Sequence, residues 1–435
     1  MAKKEGLSKL SFVEIDSSDG VFRGILLPSS NDETLFLKLD SGYNIGISRK
    51  KVKNMKKLEN VTFEEKIKAP IPRNPKLKNI TILHTGGTIA SEVDYKTGAV
   101  TSRFSPEEIV MMFPELEGIV NIDSRLIRNM FSDDMNIPHY NILAKEIEKE
   151  VKKGVDGIII THGTDTMHYT SAALSFILED LPIPVILTGS QRSSDRGSTD
   201  GGFNLACAAR FIAQSNLAGV AICMHASSSD DFCNIIHGCK ARKLHSSRRD
   251  AFKSVNDDPI ARVSKANVEF IKKEHKQRDS KLKLRLRLFD EKVKVGLLKA
   301  HPGMKADEIT FYSKYDGLIL EGTGLGHFPV SKIDEFTSEN DKIYNEIKKL
   351  SSKIPVAMTS QCIFGQIDLD VYSNGKKLLG AGVIGNQLSM TPETAYIKLL
   401  WLIGNHDKKD IKALFSRNLR GEISERILIK KDFLK

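Results

Sequence analysis

From Asn79 onward the chain alternates short, nearly unbroken apolar runs with longer stretches of helical period. The runs are "ITILHT", "GIIITHG", "PVILTGS" and "AGVAICMH". Between them lie "SPEEIVMMF", with a helix-starting Ser-Pro-Glu-Glu at Ser105, then "YNILAKEIEKEVKKG", closed by Gly154, then "TMHYTSAALSFILEDL" and "GGFNLACAARFIAQSN". A strand exposed on one face alternates apolar and polar side chains, whereas a strand covered on both faces is apolar throughout. The alternation therefore predicts a parallel α/β sheet with helices on both faces. A second, smaller α/β unit begins near residue 292 with "VKVGLLKAHPGM" and continues through "GLILEG", the helical "NEIKKL", "IPVAMTS" and "TPETAYIKLLWLIG".

The first 70 residues follow another pattern. "VFRGILLPS" and "TLFLKLDSGYNIGIS" are strand-like, the second folded at "DSG" as a hairpin, and no helical period intervenes. This predicts a small β-barrel. "KAPIPRNPKLKN" carries three prolines among lysines and reads as an extended linker ending at Asn79. The expected organisation is a barrel at 1–70, a linker at 71–79, a larger α/β domain at 80–291 and a smaller C-terminal α/β domain at 292–435.

Composition narrows the class. No apolar run approaches the ~20 residues that span a bilayer, and the start "MAKKEGLSKL" lacks a secretory apolar segment, so a soluble cytosolic protein with no membrane partner is expected. Five cysteines in 435 residues fit reduced thiols better than a disulfide framework. Cys233, His237 and Cys239 lack the second ligand pair of a zinc site and read as packing residues; no metal is expected. A net charge of +10 suits a nucleic-acid partner and equally a lysine-rich surface. "KLKLRLRL", residues 281–288, reads as a half-buried strand with a basic solvated face, a nucleic-acid ribbon being the alternative.

Chemistry gathers at the strand ends. "TILHTGGT", "IIITHGTDT" and "VILTGSQR" each place threonine or glycine just past a buried strand, and in a parallel sheet those ends share the edge where ligands bind. "HTGGTIAS" lacks the Gly-Lys-Ser/Thr ending of a phosphate loop, and "EGTGLGH" misses the dinucleotide spacing and reads as a tight turn. In "THGTDT", Thr164 and Asp165 stand at a helix start, where either could simply cap it. A hydroxyl nucleophile needs a base, and "ARKLHSSRRDAF" offers Lys243 and His245 amid arginines.

"TGGTIAS", "THGTDTM" and "RKLHSSRRDAFKSVN" resemble, in order and spacing, the motifs of the L-asparaginase family over most of residues 79–405. With the N-terminal barrel, "MHYTSAALSF", "TGSQRSSDRGS" and "SSRRDAF" resemble the branch of that family that serves tRNA-dependent amidotransferases. The resemblance implies hydrolysis of glutamine or asparagine. It implies delivery of the ammonia to a tRNA-binding kinase/transferase partner, which activates glutamyl-tRNA with ATP and Mg. No cofactor would be bound by this chain, which would form a homodimer within a heterotetramer and meet tRNA mainly through the partner.

Carried over residue by residue, the resemblance makes Thr88 the nucleophile. Lys243 then takes a proton through the Thr164 hydroxyl while Asp165 stabilises the cation, the logic of a nucleophile-base-orienter triad. Gly86 and Gly87 would let backbone N–H groups face a developing oxyanion, and Gly87 and Gly163 would line the substrate site. Ser132 and Asp133 in "MFSDDMN" match the grip on the α-carboxylate and α-ammonium, an ordinary polar turn being the alternative. Tyr95 sits earlier than the tyrosine of the free enzymes, which leaves its role open, and Lys243 rests on its spacing to Phe252, with Lys240 as the alternative. The segment from Ser91 to Ser102 reads as a lid. A free asparaginase or glutaminase, and a nucleic-acid-binding module on an idle enzyme fold, are the competing readings.

Overall fold

The computed structural model describes residues 10–27, 33–39, 44–61, 73–87, 91–93, 100–102, 109–110, 113, 116–192, 199–272, 275–279 and 281–427. Thr88, Tyr95, the helix start at Ser105 and the first two residues of the expected linker, 71–72, lie outside them.

Near the N-terminus, five strands form an antiparallel sheet in the order Asn44–Ser48, Thr34–Lys38, Gly20–Leu27, Leu10–Ser17, Val52–Val61. Val13, Ile15, Leu35, Leu37 and Ile47 fill one face, the alternation that a half-buried sheet requires. Among the described residues no ladder joins the two outer strands into a barrel. Val52–Val61 carried no strand signal because Lys53 through Leu58 are all exposed, leaving no apolar face to alternate with. The described end of the proline-rich stretch is pinned rather than free. Arg73 pairs with Asp123 at 2.6 Å, and Asn121 Nδ2 donates to the carbonyls of Asn74 and Leu77.

The central sheet has eight strands, in the order Val268–Phe270, Ala261–Val263, Cys233–His237, Gly219–His225, Pro184–Thr188, Gly157–Thr161, Asn79–His84, Asn121–Leu126. The last five are parallel, as expected. The first three run antiparallel to their neighbours, so the sheet is mixed rather than wholly parallel. The reason is local: the short loop after His225 can close a hairpin but cannot make the long crossover a parallel pair needs. Side chains divide by period two. Ile80, Ile82, Ile159, Ile186 and Ala221 pack beneath the helix Gly201–Gln214, while Leu83, Ile158, Ile160, Leu187 and Ile222 face Ile137–Lys152 and Met167–Ile177. Burial on both faces is why these strands read as unbroken apolar runs.

A second sheet has three parallel strands, Val295–Lys299, Gly317–Gly322 and Val356–Ser360. One apolar cluster runs from Leu83 and Ile158 through Phe252 to Ile319, Ala357, Leu399 and Trp401, so both α/β units share a core. "EGTGLGH" is a tight turn in which Thr323 and His327 pair. In "KLKLRLRL" only Arg285–Leu286 is strand, paired with Leu178–Glu179; Leu284, Leu286 and Leu288 pack on the core. Arg285 and Arg287 pair with Glu179, so two of its basic side chains are engaged by this chain's own carboxylate.

Candidate active site

The carboxyl ends of Asn79–His84, Gly157–Thr161 and Pro184–Thr188 meet as the sequence pattern predicts. Thr85 continues the pairing: its backbone N–H and its hydroxyl both donate to the Thr161 carbonyl, at 3.1 and 2.9 Å. Its hydroxyl is therefore committed to structure. Gly86 and Gly87 follow with φ of 107° and 83°. A Cβ at Gly86 would lie 2.3 Å from the Met130 carbonyl, and one at Gly87 would lie 2.9 Å from the Gly163 amide nitrogen. Gly163 in turn leaves no room between itself and Ser132, where a Cβ would approach within 2.8 Å. These glycines let three loops touch backbone to backbone.

Ser132 is buried in the short turn Ser132–Asp134, and its carbonyl accepts from the Thr166 hydroxyl at 2.5 Å. Asp133 is exposed, and its carboxylate has no partner among the described residues. The turn thus holds its serine and offers its aspartate.

The helix Met167–Ile177 begins with Thr166 at its N-cap and no side-chain cap bond. Neither Thr164 nor Asp165 caps it. Instead Lys243 Nζ donates to Thr164 Oγ1 and to Asp165 Oδ1, each at 2.8 Å. The Lys243 side chain is 9 % exposed and that of Asp165 69 %, so the pair sits where a buried cation reaches the mouth of the site. A hairpin, Ala241–Lys243 against Phe252–Ser254, delivers the lysine, and Lys243 stands opposite Phe252. The nine-residue spacing is the register of that hairpin. Lys240 points elsewhere: its ammonium donates to Ser424 Oγ at 2.8 Å, and burial lowers its pKa to about 8. The alternative assignment is thereby placed away from Thr164.

Two residues missed by the sequence reading support the loops. His162 bridges the Gly163 carbonyl and the Thr170 hydroxyl at 2.6 and 2.9 Å. Asp200 accepts from the backbone amides of Gln191 and Arg192, and Thr164 Oγ1 donates to Gln191 Oε1 at 3.4 Å. Neither gave a periodic signal: His162 lies within "THGTDT", where the threonine and aspartate carry the reading, and Asp200 lies only in a polar strand-end loop. In the segment read as a lid, Ser91–Val93 pairs antiparallel with Val100–Ser102. Cys233 and Cys239 are buried, and burial pushes the Cys239 thiol up to about 12, which leaves it inert. Among the described residues no cluster of three or more His, Cys, Asp or Glu side chains could hold a metal ion, and no helix is long and apolar enough to cross a membrane.

Burial lowers the pKa of His84 and His168 to about 3 and that of His162 to about 4, from 6.5. Each ring is therefore neutral in the fold at a pH where the unfolded chain protonates it. The stability this contributes is complete above pH 6.5 and is lost as pH falls toward 4 for His162 and toward 3 for His84 and His168. At pH 5 the loss is about 2 kcal/mol per ring. Melting temperature should fall steadily between pH 7 and pH 5; a flat profile there would contradict burial of the neutral rings.

Comparison with known proteins places this geometry. The family profile described as "Asparaginase, N-terminal" matches residues 79–276, and "Glutaminase/Asparaginase C-terminal domain" matches 294–415. A "GatD N-terminal domain" profile matches 7–58. The D subunit of the glutamyl-tRNA(Gln) amidotransferase of Methanococcus maripaludis is 42% identical over 427 residues, covering 96% of this chain and 98% of its own. The protein of the same name from Pyrococcus horikoshii is 42% identical over 94% of this chain and 93% of its own. Among solved structures, the thermostable L-asparaginase from Thermococcus kodakarensis superposes with a TM-score of 0.69 at 31% identity, over 80% of this chain and 100% of its own. L-asparaginase I from Vibrio cholerae gives 0.68 at 28% identity, over 80% and 99%.

Proposed function

Because the chain belongs to the asparaginase family, and within it to the glutamyl-tRNA(Gln) amidotransferase D subunits, we propose that it releases ammonia from glutamine for a tRNA-dependent amidotransferase. The observation that carries the chemistry is Lys243, nearly buried and 2.8 Å from both Thr164 and Asp165. Thr88 is the nucleophile that attacks the side-chain amide carbon. Its proton passes to Thr164, and that of Thr164 to Lys243, whose positive charge Asp165 then balances. That both polar groups of Thr85 are spent on Thr161 supports Thr88 as the reactive threonine of "HTGGT". Ser132 grips the α-carboxylate of the substrate and Asp133, whose carboxylate has no partner among the described residues, its ammonium. Gly87 and Gly163 line the floor. Departing ammonia takes a proton, and water then releases glutamate from Thr88.

The ammonia is used by a partner, the E-type component of the amidotransferase, which binds tRNA and consumes ATP with Mg, in a heterotetramer built on a homodimer of this chain in the cytoplasm. The N-terminal sheet favours this over a free asparaginase. The amidotransferase relatives match nearly the whole chain, whereas the Thermococcus kodakarensis asparaginase is spanned completely by 80% of it. Ammonia release from glutamine and asparagine should be compared for the isolated chain, the complex, and the complex with tRNA and ATP. Activation of about 5- to 150-fold is expected from the full complex, the range of ordinary coupling energies. Equal rates in all three would support a free amidohydrolase instead.

A further inference from the structure

The loop after Pro184–Thr188 is held by a chain of buried polar contacts although it has no assigned chemical task. Asp200, fully buried, accepts from the Gln191 and Arg192 amides at 3.0 Å. Asn204 Nδ2 donates to Asp200 at 3.1 Å and to the Gly189 carbonyl at 2.9 Å. His225 bridges Asn204 Oδ1 and Asp230 at 2.6 and 2.9 Å, and Asp230 pairs with Arg249. This scaffold delivers one side chain, Gln191, to the Thr164 hydroxyl.

A threonine hydroxyl has one proton and two lone pairs. Lys243 donates to one lone pair of Thr164 at 2.8 Å, and the proton faces Gln191 Oε1 at 3.4 Å. One lone pair is left over. Gln191 Nε2 is buried and has no partner among the described residues. A buried unmet donor is a cost that methionine or leucine of similar volume would avoid, so the amide is not there to fill space.

We propose that Gln191 is a positioning residue whose carboxamide oxygen holds the Thr164 proton away from Lys243 in the resting site, leaving the remaining lone pair to receive the nucleophile's proton. The proposal rests on the relay through Thr164. When Lys243 is in its amine form, the Thr164 O–H turns from Gln191 to Lys243. The nucleophile's O–H bond then breaks as a new O–H forms on Thr164, and the original Thr164 O–H breaks as N–H forms on Lys243. The nucleophile's freed electron pair forms the bond to the amide carbon.

Gln191→Met, Gln191→Glu and Thr164→Val should be assayed for ammonia release in the full chain with its co-purified partner, each checked by thermal melting. Gln191→Met is expected to lower kcat on the order of 10-fold with KM changed less than about twofold. Gln191→Glu keeps an acceptor and adds negative charge beside a cation, so its kcat–pH profile should move to higher pH. Wild-type kcat in Gln191→Met while Thr164→Val is inactive would overturn the proposal alone. So would equal losses in both Gln191 variants with an unmoved pH profile, the mark of simple loop support. Wild-type turnover in Thr164→Val would overturn the relay itself.

Discussion

Lys243→Met is expected to lower glutamine hydrolysis by on the order of 10³-fold or more, and Thr88→Ala by a similar factor. The two groups act as one unit, so the double variant should lose little beyond either single one. Lys243 is held by a hydroxyl and by a carboxylate that is 69 % exposed, so methionine leaves no buried charge without a partner. Stability should therefore change by less than about 1 kcal/mol. Steady-state ammonia release beside a thermal melt checks both parts: near wild-type turnover in either variant sinks the assignment, and a large fall in melting temperature would mean that Lys243 is structural.

The largest effect on stability is expected far from the reacting atoms. Lys398 and Glu422 form an ion pair at 2.5 Å with both side chains at 0 % exposure. Glu422 also accepts from the amides of Leu419 and Arg420. Lys398→Met removes one charge and strands the other in the interior, which costs about 3–5 kcal/mol. The damage has a route to the site, because the same C-terminal segment carries Ser424, which accepts from Lys240 and donates to the Asn256 carbonyl on the strand side of the Lys243 hairpin. Urea midpoints of Lys398→Met and of Lys398→Met/Glu422→Leu should separate the two contributions. The double variant, with no orphaned charge, should recover much of the loss; a single variant as stable as the wild type would show that the pair is not buried in solution.

The parallel strands were legible because burial on both faces makes them apolar throughout, and the loops at their carboxyl ends follow from topology. Ile80 and Ile82 on one face and Leu83 on the other are that rule in a single strand. Cys233–His237 escaped notice because its return depends on a hairpin after His225, and Val52–Val61 because Lys53 through Leu58 are exposed and show no apolar alternation. The site divides in the same way. Glycines 86, 87 and 163 announced a close approach, though the sequence could not say that what they approach is one another's loops. Lys243 meets Thr164 across 79 residues, a contact that no local period encodes and that only the family resemblance supplied. Gln191 lay inside a quoted motif yet drew no attention, since an amide has no titration and no spacing rule to mark it.

A glutamyl ester at Thr88 is the intermediate on which the proposed chemistry turns. Mass spectrometry of peptides from the complex, acid-quenched during glutamine turnover, tests for it directly. A glutamyl adduct is expected on the peptide that contains Thr88 and is expected to be absent from Thr88→Ala. An adduct on another residue, or undiminished turnover by Thr88→Ala without any adduct, would contradict the assignment.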